Sequence, residues 1–252
     1  MKAQGEHKLT AILATLAHYR QLIHSKIIDN IRGNQCLLCL QAAQTRCLCA
    51  DCLHDLPWQR HSCTSCALPL SDDSANRLCF DCEQSPPNWH LAQAVFHYQF
   101  PIDRLIAAFK YHHQLALTDL FAELMAATLV APTQNTLLVP VPLHPDRLRL
   151  RGYDQTGLLA QAISRLTGIA CHTGLLRRVR DTTMQKQLHR DERLSNLQGA
   201  FTCAAADLSQ HTIILVDDVL TTGATLSVLS QVLFDQGAKS VQALVIARTL
   251  PR

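Results

Sequence analysis

The run Ile214-Leu-Val-Asp-Asp-Val-Leu-Thr-Thr-Gly-Ala-Thr-Leu226 decides the fold of this 252-residue chain. The stretch Thr212–Val216 leads into it and predicts a buried parallel strand. Apolar residues recur at helical spacing after Leu226, and Gly237 is placed to end that helix. The motif is therefore a strand, a turn and a helix start. Open parallel sheets bind their ligands at such strand ends.

The turn has the chemistry of a phosphate site, and the strand end has that of a diol site. The start of the helix presents free backbone N–H groups to an anion, and Gly223 lets the backbone approach closely. Hydroxyl donors come from three threonines: Thr221, Thr222 and Thr225. Asp217 and Asp218 can accept hydrogen bonds from two neighbouring hydroxyl groups. A ribose that carries a 5-phosphate satisfies both halves of the motif.

The run resembles the phosphoribosyl-pyrophosphate (PRPP) signature of type I phosphoribosyltransferases, with its apolar lead, acidic pair and Thr-Thr-Gly-x-Thr turn. It lacks the Gly-Lys-Thr of a Walker A loop and is not a GxGxxG turn. An ordinary strand with two acids before a helix is the alternative interpretation. The resemblance implies that Asp217 and Asp218 are the catalytic acids and hold the ribose. It also implies that five residues hold the 5-phosphate: Thr221, Thr222, Gly223, Ala224 and Thr225.

A second pattern consists of eight of the 11 cysteines, which form four Cys-x-x-Cys pairs. Two such pairs supply the four thiolates of a tetrahedral site, so two structural Zn²⁺ ions are expected. The predicted ligands are Cys36, Cys39, Cys49 and Cys52 in one site and Cys63, Cys66, Cys79 and Cys82 in the other. A disulfide framework is the alternative, but thiols stay reduced in the cytosol. Cys47 competes with Cys49 in the first site, and Cys49 is preferred because it repeats the pair spacing.

Composition and patterning divide the chain into three parts. Residues 1–35 are predicted to be an amphipathic helical extension rather than a signal peptide, residues 36–86 a double zinc-ribbon module, and residues 87–252 an α/β domain. A hydrophobic content of 48% is enough for a core, and the net charge of +3 indicates no particular partner. Because no apolar stretch reaches the length of a membrane span, a cytoplasmic location is expected.

Hydrophobic periodicity predicts the strands and helices of the α/β domain. Strands are predicted at Ala94–Phe100, Leu137–Val141, Leu175–Arg180, Gly199–Cys203, Thr212–Val216 and Val241–Ala247. Helices are predicted at Ile102–Val130 and Gly157–Leu166. The polar stretch 181–198, with Lys186, Arg190 and Arg193, is either a mobile lid over the site or an exposed linker.

Three arginines follow the strand end Val139-Pro-Val-Pro142 at alternate positions: Arg147, Arg149 and Arg151. Guanidinium groups match phosphate oxygens in shape and charge, so these side chains are candidates to bind the pyrophosphate of PRPP. A solvated basic loop is the alternative interpretation.

Several segments together resemble the ComF/GntX family, from about Cys36 to the C-terminus. They are the cysteine pairs, Phe109-Lys-Tyr-His112, Val139-Pro-Val-Pro142, Arg147-x-Arg-x-Arg-Gly-Tyr-Asp-Gln155 and the run Gln185…Arg190…Arg193…Asn196. The resemblance implies a type I phosphoribosyltransferase-like α/β fold, a parallel sheet with helices on both faces, after a double zinc ribbon. It also implies PRPP binding with Mg²⁺ and a role in natural competence, DNA uptake and transformation. Asp154 stands where Asn is common in that family.

Turnover of PRPP is a separate question from its binding. The hypoxanthine-guanine branch has an Asp where this chain has Thr221, and the 26 residues after Leu226 are too few for a C-terminal hood over a base. Residues 90–117 could supply a hood instead. Its stacking aromatics, which an ordinary core would also explain, would be Phe96, Tyr98, Phe109 and Tyr111. The sequence thus allows a transferase for an unidentified nucleobase or a non-catalytic PRPP-gated adaptor or sensor.

A basic excess raises the possibility of a nucleic-acid partner. Residues 147–193 have ten Lys or Arg against four Asp or Glu. Such surfaces bind single strands through phosphates and stacking, although the same arginines are explained by pyrophosphate. Single-stranded DNA and other competence or DNA-uptake proteins are therefore candidate partners beside PRPP.

Overall fold

The computed structural model describes residues 35–43, 47–71, 77–130, 132–180 and 197–250. The helical extension predicted at residues 1–35 lies outside the described residues, apart from Gln35. The lid predicted at 181–198 also lies outside them, apart from its last two residues.

A parallel sheet of five strands forms the centre of the described chain. The strands are β1 (Leu91–His97), β2 (Thr136–Pro140), β3 (Ala170–Cys171), β4 (Leu176–Arg178), β5 (Phe201–Cys203), β6 (Thr212–Leu220) and β7 (Ser240–Arg248). The sheet order is β1-β7-β6-β2-β3, and all four neighbouring pairs are parallel. Strands β4 and β5 form a separate antiparallel pair. The predicted parallel α/β sheet is thereby confirmed, with β6 at its centre.

Helices cover both faces of this sheet, as predicted. The described helices are α1 (Ala50–His54), α2 (Phe80–Gln84), α3 (Ile102–Tyr111), α4 (Leu117–Thr128), α5 (Pro145–Arg151), α6 (Gln155–Thr167) and α7 (Ala224–Asp235). One face packs against α3, α4 and α6 in a core that contains Phe96, Phe109 and Phe121. The other face packs against α7, which buries Leu229 and Leu233. The β6–α7 turn therefore lies at the carboxyl edge of the sheet, between the two layers.

Two predicted elements differ markedly in extent from the structure. The helix predicted at 102–130 is two helices, α3 and α4, because the chain reverses at His113, whose backbone is left-handed with φ of 54°. Strand β6 runs to Leu220 rather than Val216, because β7 continues to pair with it as far as Leu220 opposite Arg248. Both acids of the motif consequently lie within the strand.

The cysteine-rich segment covers the free edge of β1. Gln59 N donates to Val95 O (2.9 Å), and the ring of Trp58 lies 4.7 Å from that of Phe96. Further along, Ala92 N donates to Thr64 O (2.9 Å). These contacts satisfy an edge strand whose backbone groups would otherwise be open to another chain.

Among the described residues, no helix is both long enough and apolar enough to cross a membrane.

Candidate functional site

The β6–α7 turn has the geometry of an anion-binding loop. Gly223 is the N-cap of α7, and its φ of 79° lies in the left-handed region that glycine adopts without strain. The first helical N–H groups of the 12-residue helix follow directly from Ala224. Thr221 is exposed beside them, whereas Thr222 and Thr225 are half-buried. Backbone N–H groups and hydroxyl groups thus converge at the positive end of a helix.

Asp218 is held by two side chains from the helix layer above it. Its Oδ1 lies 2.7 Å from Lys110 Nζ at the end of α3, and its Oδ2 accepts a hydrogen bond from Gln155 Nε2 (3.1 Å) at the start of α6. The residue is only 5% exposed. Burial works against the charged form of Lys110, but the carboxylate of Asp218 outweighs it and raises the pKa of the lysine. The carboxylate therefore has a fixed orientation before any ligand arrives.

The surroundings of Asp217 favour its neutral form. Burial, followed by the negative charge of Asp218, raises the pKa of Asp217 to about 8, and the more distant Lys110 offsets only part of this. Asp217 Oδ1 accepts a hydrogen bond from the backbone N–H of Asp218 (2.8 Å). In the free protein, Asp217 is thus mainly protonated at neutral pH. A cationic ligand that favours the carboxylate form would release this proton on binding.

This state predicts a pH-dependent stability. Between about pH 4 and about pH 8 the folded protein holds a proton on Asp217 that the unfolded chain has released. Asp217 consequently lowers the free energy of unfolding as the pH rises through this window. Asp217→Asn is expected to remove that decline, so that the variant gains stability over the wild type at pH 8 but not at pH 4. Urea unfolding at several pH values measures it, with Asp235→Asn as an exposed control. A constant difference between Asp217→Asn and the wild type would contradict the prediction.

The three candidate arginines lie on the short helix α5. Residues two apart on a helix are separated by about 200° around its axis, so Arg149 projects away from Arg147 and Arg151. Arg149 is 76% exposed in its side chain and pairs with Asp146. The guanidinium of Arg151 instead lies over the ring of Tyr111, 5.2 Å from its centroid. The three side chains therefore do not converge on one point.

Two buried polar atoms near the acids have no partner among the described residues. They are Arg151 Nη1 and Gln155 Oε1. A buried polar atom without a partner is costly, and in a cleft it indicates a place for a ligand or a water molecule. Arg151 sits over Tyr111, which follows Lys110, and Gln155 binds Asp218. The unpaired Gln155 Oε1 thus belongs to a side chain that contacts the acidic pair, and the unpaired Arg151 Nη1 lies on the helix that precedes Gln155.

Asp154, the departure from the family pattern, has a local structural function. It is the N-cap of α6, and its Oδ1 accepts hydrogen bonds from Gly157 N (3.1 Å) and Thr156 Oγ1 (2.8 Å). Asp and Asn are about equally effective as N-caps. The substitution therefore preserves the start of the helix that carries Gln155.

The four aromatics proposed as hood residues divide into two pairs. Phe96 and Phe109 are fully buried and belong to the core. Tyr98 is 37% exposed and Tyr111 is 61% exposed. Only the two tyrosines can offer a ring surface to a ligand.

Eight cysteines form two groups with the geometry of zinc sites. The sulfur atoms of Cys36, Cys39, Cys49 and Cys52 lie within 4.8 Å of one another, as do those of Cys63, Cys66, Cys79 and Cys82. The Cys39–Cys49 and Cys66–Cys79 sulfur pairs are each 3.6 Å apart. A tetrahedron with Zn–S bonds of about 2.3 Å has S–S edges of about 3.8 Å, so both groups fit Zn²⁺. Cys49 rather than Cys47 completes the first group, as preferred from the spacing.

The first thiol of each group has a lowered pKa, which favours its thiolate form. Burial opposes the thiolate of Cys36, but N–H groups of Cys39, Cys49 and Leu38 outweigh it and lower the pKa to about 6. Cys63 follows the same pattern, with a lowered pKa. Burial instead raises the pKa of Cys82 to about 12. A bound metal would replace the protons that such thiols retain.

Comparison with known proteins agrees with both parts of this arrangement. Residues 27–83 match the double zinc ribbon domain, and residues 156–250 match the phosphoribosyl transferase domain. The chain is 31% identical to DNA utilization protein YhgH of Salmonella typhimurium over 209 residues, which cover 81% of this chain and 91% of that protein. It is 33% identical to Competence protein F of Haemophilus influenzae over 178 residues, or 68% and 78% of the two chains. The chain belongs to the ComF family.

Competence protein ComFC of Bacillus subtilis extends the similarity beyond these bacteria. It is 29% identical over 198 residues, which cover 75% of this chain and 78% of that protein. The ComF-family relatives are thus named for competence and for DNA utilization. The phosphoribosyl transferase match includes the whole β6–α7 motif, and the zinc-ribbon match includes all but a few residues of the cysteine-rich segment.

Sequence reasoning did not assign three side chains that complete the site. Lys110 and Gln155 hold Asp218, and Arg248 binds the carbonyl groups at the start of the β6–α7 turn. Lys110 and Gln155 stand in two segments that resemble the ComF/GntX family, but the sequence assigned neither of them a role. A helix over 145–151 could have been predicted, because Pro145 stands at its first position and Gly152, with φ of 80°, ends it.

Proposed function

We propose that this ComF-family protein binds PRPP with Mg²⁺ at the β6–α7 site and acts in DNA uptake or utilization. The observation that carries the proposal is the order of groups at the carboxyl edge of β6. Two acids, one of them fixed by Lys110 and Gln155, precede the glycine N-cap of a helix by five and six positions. A diol and a phosphate separated by a ribose ring fit that order.

Different residues of this chain would bind different parts of PRPP. The residues 221–225 would hold the 5-phosphate through N–H and hydroxyl groups. Asp217 and Asp218 would accept hydrogen bonds from the ribose hydroxyls, and Lys110 would hold the Asp218 side chain in its orientation. Mg²⁺ bound with PRPP would neutralise charge on the pyrophosphate. The chain's contribution is then positioning and charge stabilisation.

This chain has Thr221 at the position where an acid could handle the proton of a nucleobase. That difference favours PRPP binding without transfer to a base. A PRPP-gated adaptor or sensor is therefore the alternative to a transferase that acts on an unidentified small nucleobase. Calorimetry with PRPP, with and without Mg²⁺, tests the binding. An assay for pyrophosphate release in the presence of free nucleobases or single-stranded DNA separates the two forms of the proposal. Mg²⁺-dependent binding without release identifies a sensor, and no binding rejects both.

Arg151, rather than all three arginines equally, is expected to receive the pyrophosphate. It has a buried N–H group without a partner, whereas Arg149 is already paired with Asp146 at the surface. Arg151→Met is expected to weaken PRPP binding by about ten- to a hundredfold, the effect of losing a charge-assisted phosphate contact of roughly 1.5–3 kcal/mol. Arg149→Met is the matched control and is expected to bind nearly as the wild type does.

Ribose 5-phosphate distinguishes a pyrophosphate contact from a general field effect. Arg151→Met is expected to weaken PRPP much more than ribose 5-phosphate in the same calorimetric titration. Equal weakening of both ligands, or equal effects at positions 149 and 151, would point to long-range electrostatics instead.

We further propose direct contact with single-stranded DNA next to this site. The names of the relatives motivate it, and one local observation supports it: the exposed ring of Tyr111 lies against the guanidinium of Arg151. Rings and guanidinium planes of this kind stack on bases and bind phosphates. Anisotropy with a labelled oligonucleotide, at low and physiological salt, tests the contact. Binding that weakens with salt and competes with PRPP supports it, and no binding at low salt rejects it.

A further inference from the structure

A cavity of about 750 Å³ lies between the second cysteine group and the β6–α7 turn. Cys66, Cys79 and Cys82 line one side of it, and Thr221–Gly223 line the other. Two side chains, Arg248 and Trp89, also line this cavity and connect its two sides. Neither is explained by the proposed ligand contacts.

Arg248 joins the cysteine group to the start of the turn. It is the last residue of β7 and is buried. Its Nε donates to Cys66 O (2.9 Å), while its Nη1 donates to Leu220 O (3.0 Å) and to Thr221 O. One rigid guanidinium therefore fixes a backbone carbonyl of the second cysteine group relative to two carbonyls that precede the anion loop. Lysine has no such fork of donors.

The second cysteine group is also the electrostatic environment of the Arg248 guanidinium. Within the described part of the chain, no carboxylate forms an ion pair with it. Burial lowers the pKa of Arg248, and the neighbouring sulfur atoms of Cys66, Cys79 and Cys82 offset part of this. A Zn²⁺ ion with four thiolates keeps a net negative charge, so a filled centre would supply the counter-charge that a buried guanidinium needs.

Trp89 makes a second, independent connection. Its Nε1 donates to Ser65 O (2.7 Å) in the cysteine group. Its ring lies against Gly223, where an added Cβ would be 2.7 Å from the ring carbon Cη2. The close approach of this ring, together with the positive φ, requires glycine at the N-cap of α7. The position of the anion loop thus depends on the second cysteine group at two points.

The first cysteine group lies elsewhere. Cys36 and Cys49 belong to the hydrophobic cluster on the opposite face of the sheet, together with Phe96 and Ile106. Its contribution is to that core.

We propose that the second zinc centre positions the PRPP loop, with Arg248 and Trp89 as the positioning residues that transmit its state. Loss of metal from Cys63, Cys66, Cys79 and Cys82 would release the Cys66 and Ser65 carbonyls and loosen residues 220–225. PRPP affinity then depends on zinc at the second centre and not on zinc at the first. This inference rests on the proposed function in one respect only, that the loop holds the 5-phosphate.

The test combines PRPP calorimetry with amide hydrogen exchange in residues 220–225 of the full chain. Arg248→Lys keeps a positive charge but loses the fork, and zinc content shows whether both centres stay filled. We expect about tenfold weaker PRPP binding, the effect of losing one or two hydrogen bonds, with faster exchange in the loop. Arg165→Lys, at an exposed arginine of α6, is the matched control and is expected to leave both readouts unchanged.

Three further variants keep the outcomes distinct. Trp89→Phe removes the bond to Ser65 O and decides the question if the Arg248 variant does not fold. Cys79→Ser with Cys82→Ser is expected to accelerate exchange in 220–225, whereas Cys36→Ser with Cys39→Ser is not. If the wild type does not bind PRPP, the proposed function fails and loop exchange still decides the inference. Wild-type exchange in 220–225 in the folded Arg248 or Trp89 variant would overturn it.

Discussion

Asp217→Ala combined with Asp218→Ala is expected to abolish Mg²⁺-dependent PRPP binding. The two acids lie beside the anion loop, Asp218 is already fixed by Lys110 and Gln155, and Asp217 becomes a second carboxylate acceptor when the Mg²⁺-bound ligand displaces its proton. Hydrogen bonds to charged groups contribute roughly 1.5–3 kcal/mol each, so losing both would weaken binding by more than about a hundredfold. Calorimetry of the wild type and the double variant, under the same Mg²⁺ concentration, measures the difference.

The effect must be separated from loss of fold, because Asp218→Ala leaves the ammonium of Lys110 buried without its partner. Asp217→Asn with Asp218→Asn provides the control, since Asn keeps the shape and can still accept one hydrogen bond. This variant is expected to keep the wild-type circular dichroism spectrum and zinc content, yet to bind PRPP weakly. Equal binding by the wild type and a folded double variant would place the PRPP site elsewhere on the molecule.

The parts of the site that the sequence predicted are local in the chain. The strand, turn and helix of the PRPP-like motif span residues 212–235, and each cysteine pair spans four positions. Strand propensity, helix capping and ligand spacing act over such distances, so they can be read without a structure. The same reasoning selected Cys49 over Cys47, and the sulfur positions agree.

The partners of Asp218 could not be predicted in this way. Gln155 lies 63 positions before it, and Lys110 lies still earlier, on another helix. Only the packing of α3 and α6 on the same face of the sheet brings these side chains to one carboxylate. No periodicity in the sequence records which helices cover which strand.

The arginine segment shows a different limit. Alternate spacing made all three arginines candidates to bind pyrophosphate, and in an extended segment residues two apart would share one face. The segment is a helix, so the same spacing separates Arg149 from Arg147 and Arg151. The secondary structure of a short segment thus decides which of its charges can act together.

The largest expected effect on the protein as a whole is that of zinc removal. Purified protein is expected to contain two Zn²⁺ per chain, one in each four-cysteine group. Binding of structural zinc contributes about 10–16 kcal/mol in small zinc domains, which is as large as the whole free energy of unfolding of a typical protein, about 5–15 kcal/mol. In its described residues, 35–43, 47–71 and 77–86, the cysteine-rich segment has two short helices, α1 and α2, and a few core side chains, so zinc is expected to be its main source of stability.

Chelation is therefore expected to unfold the segment and to expose the edge of β1. That strand now receives hydrogen bonds and the ring of Trp58 from the segment, so its loss would leave an open edge on which chains associate. Metal analysis gives the stoichiometry, and light scattering with circular dichroism follows the chelator titration. Cys203→Ser, at a cysteine outside both groups, is the control for the cysteine-to-serine pairs and is expected to keep two Zn²⁺. A metal content near zero, or disulfides in freshly prepared protein, would show that these thiols hold the segment together by another chemistry.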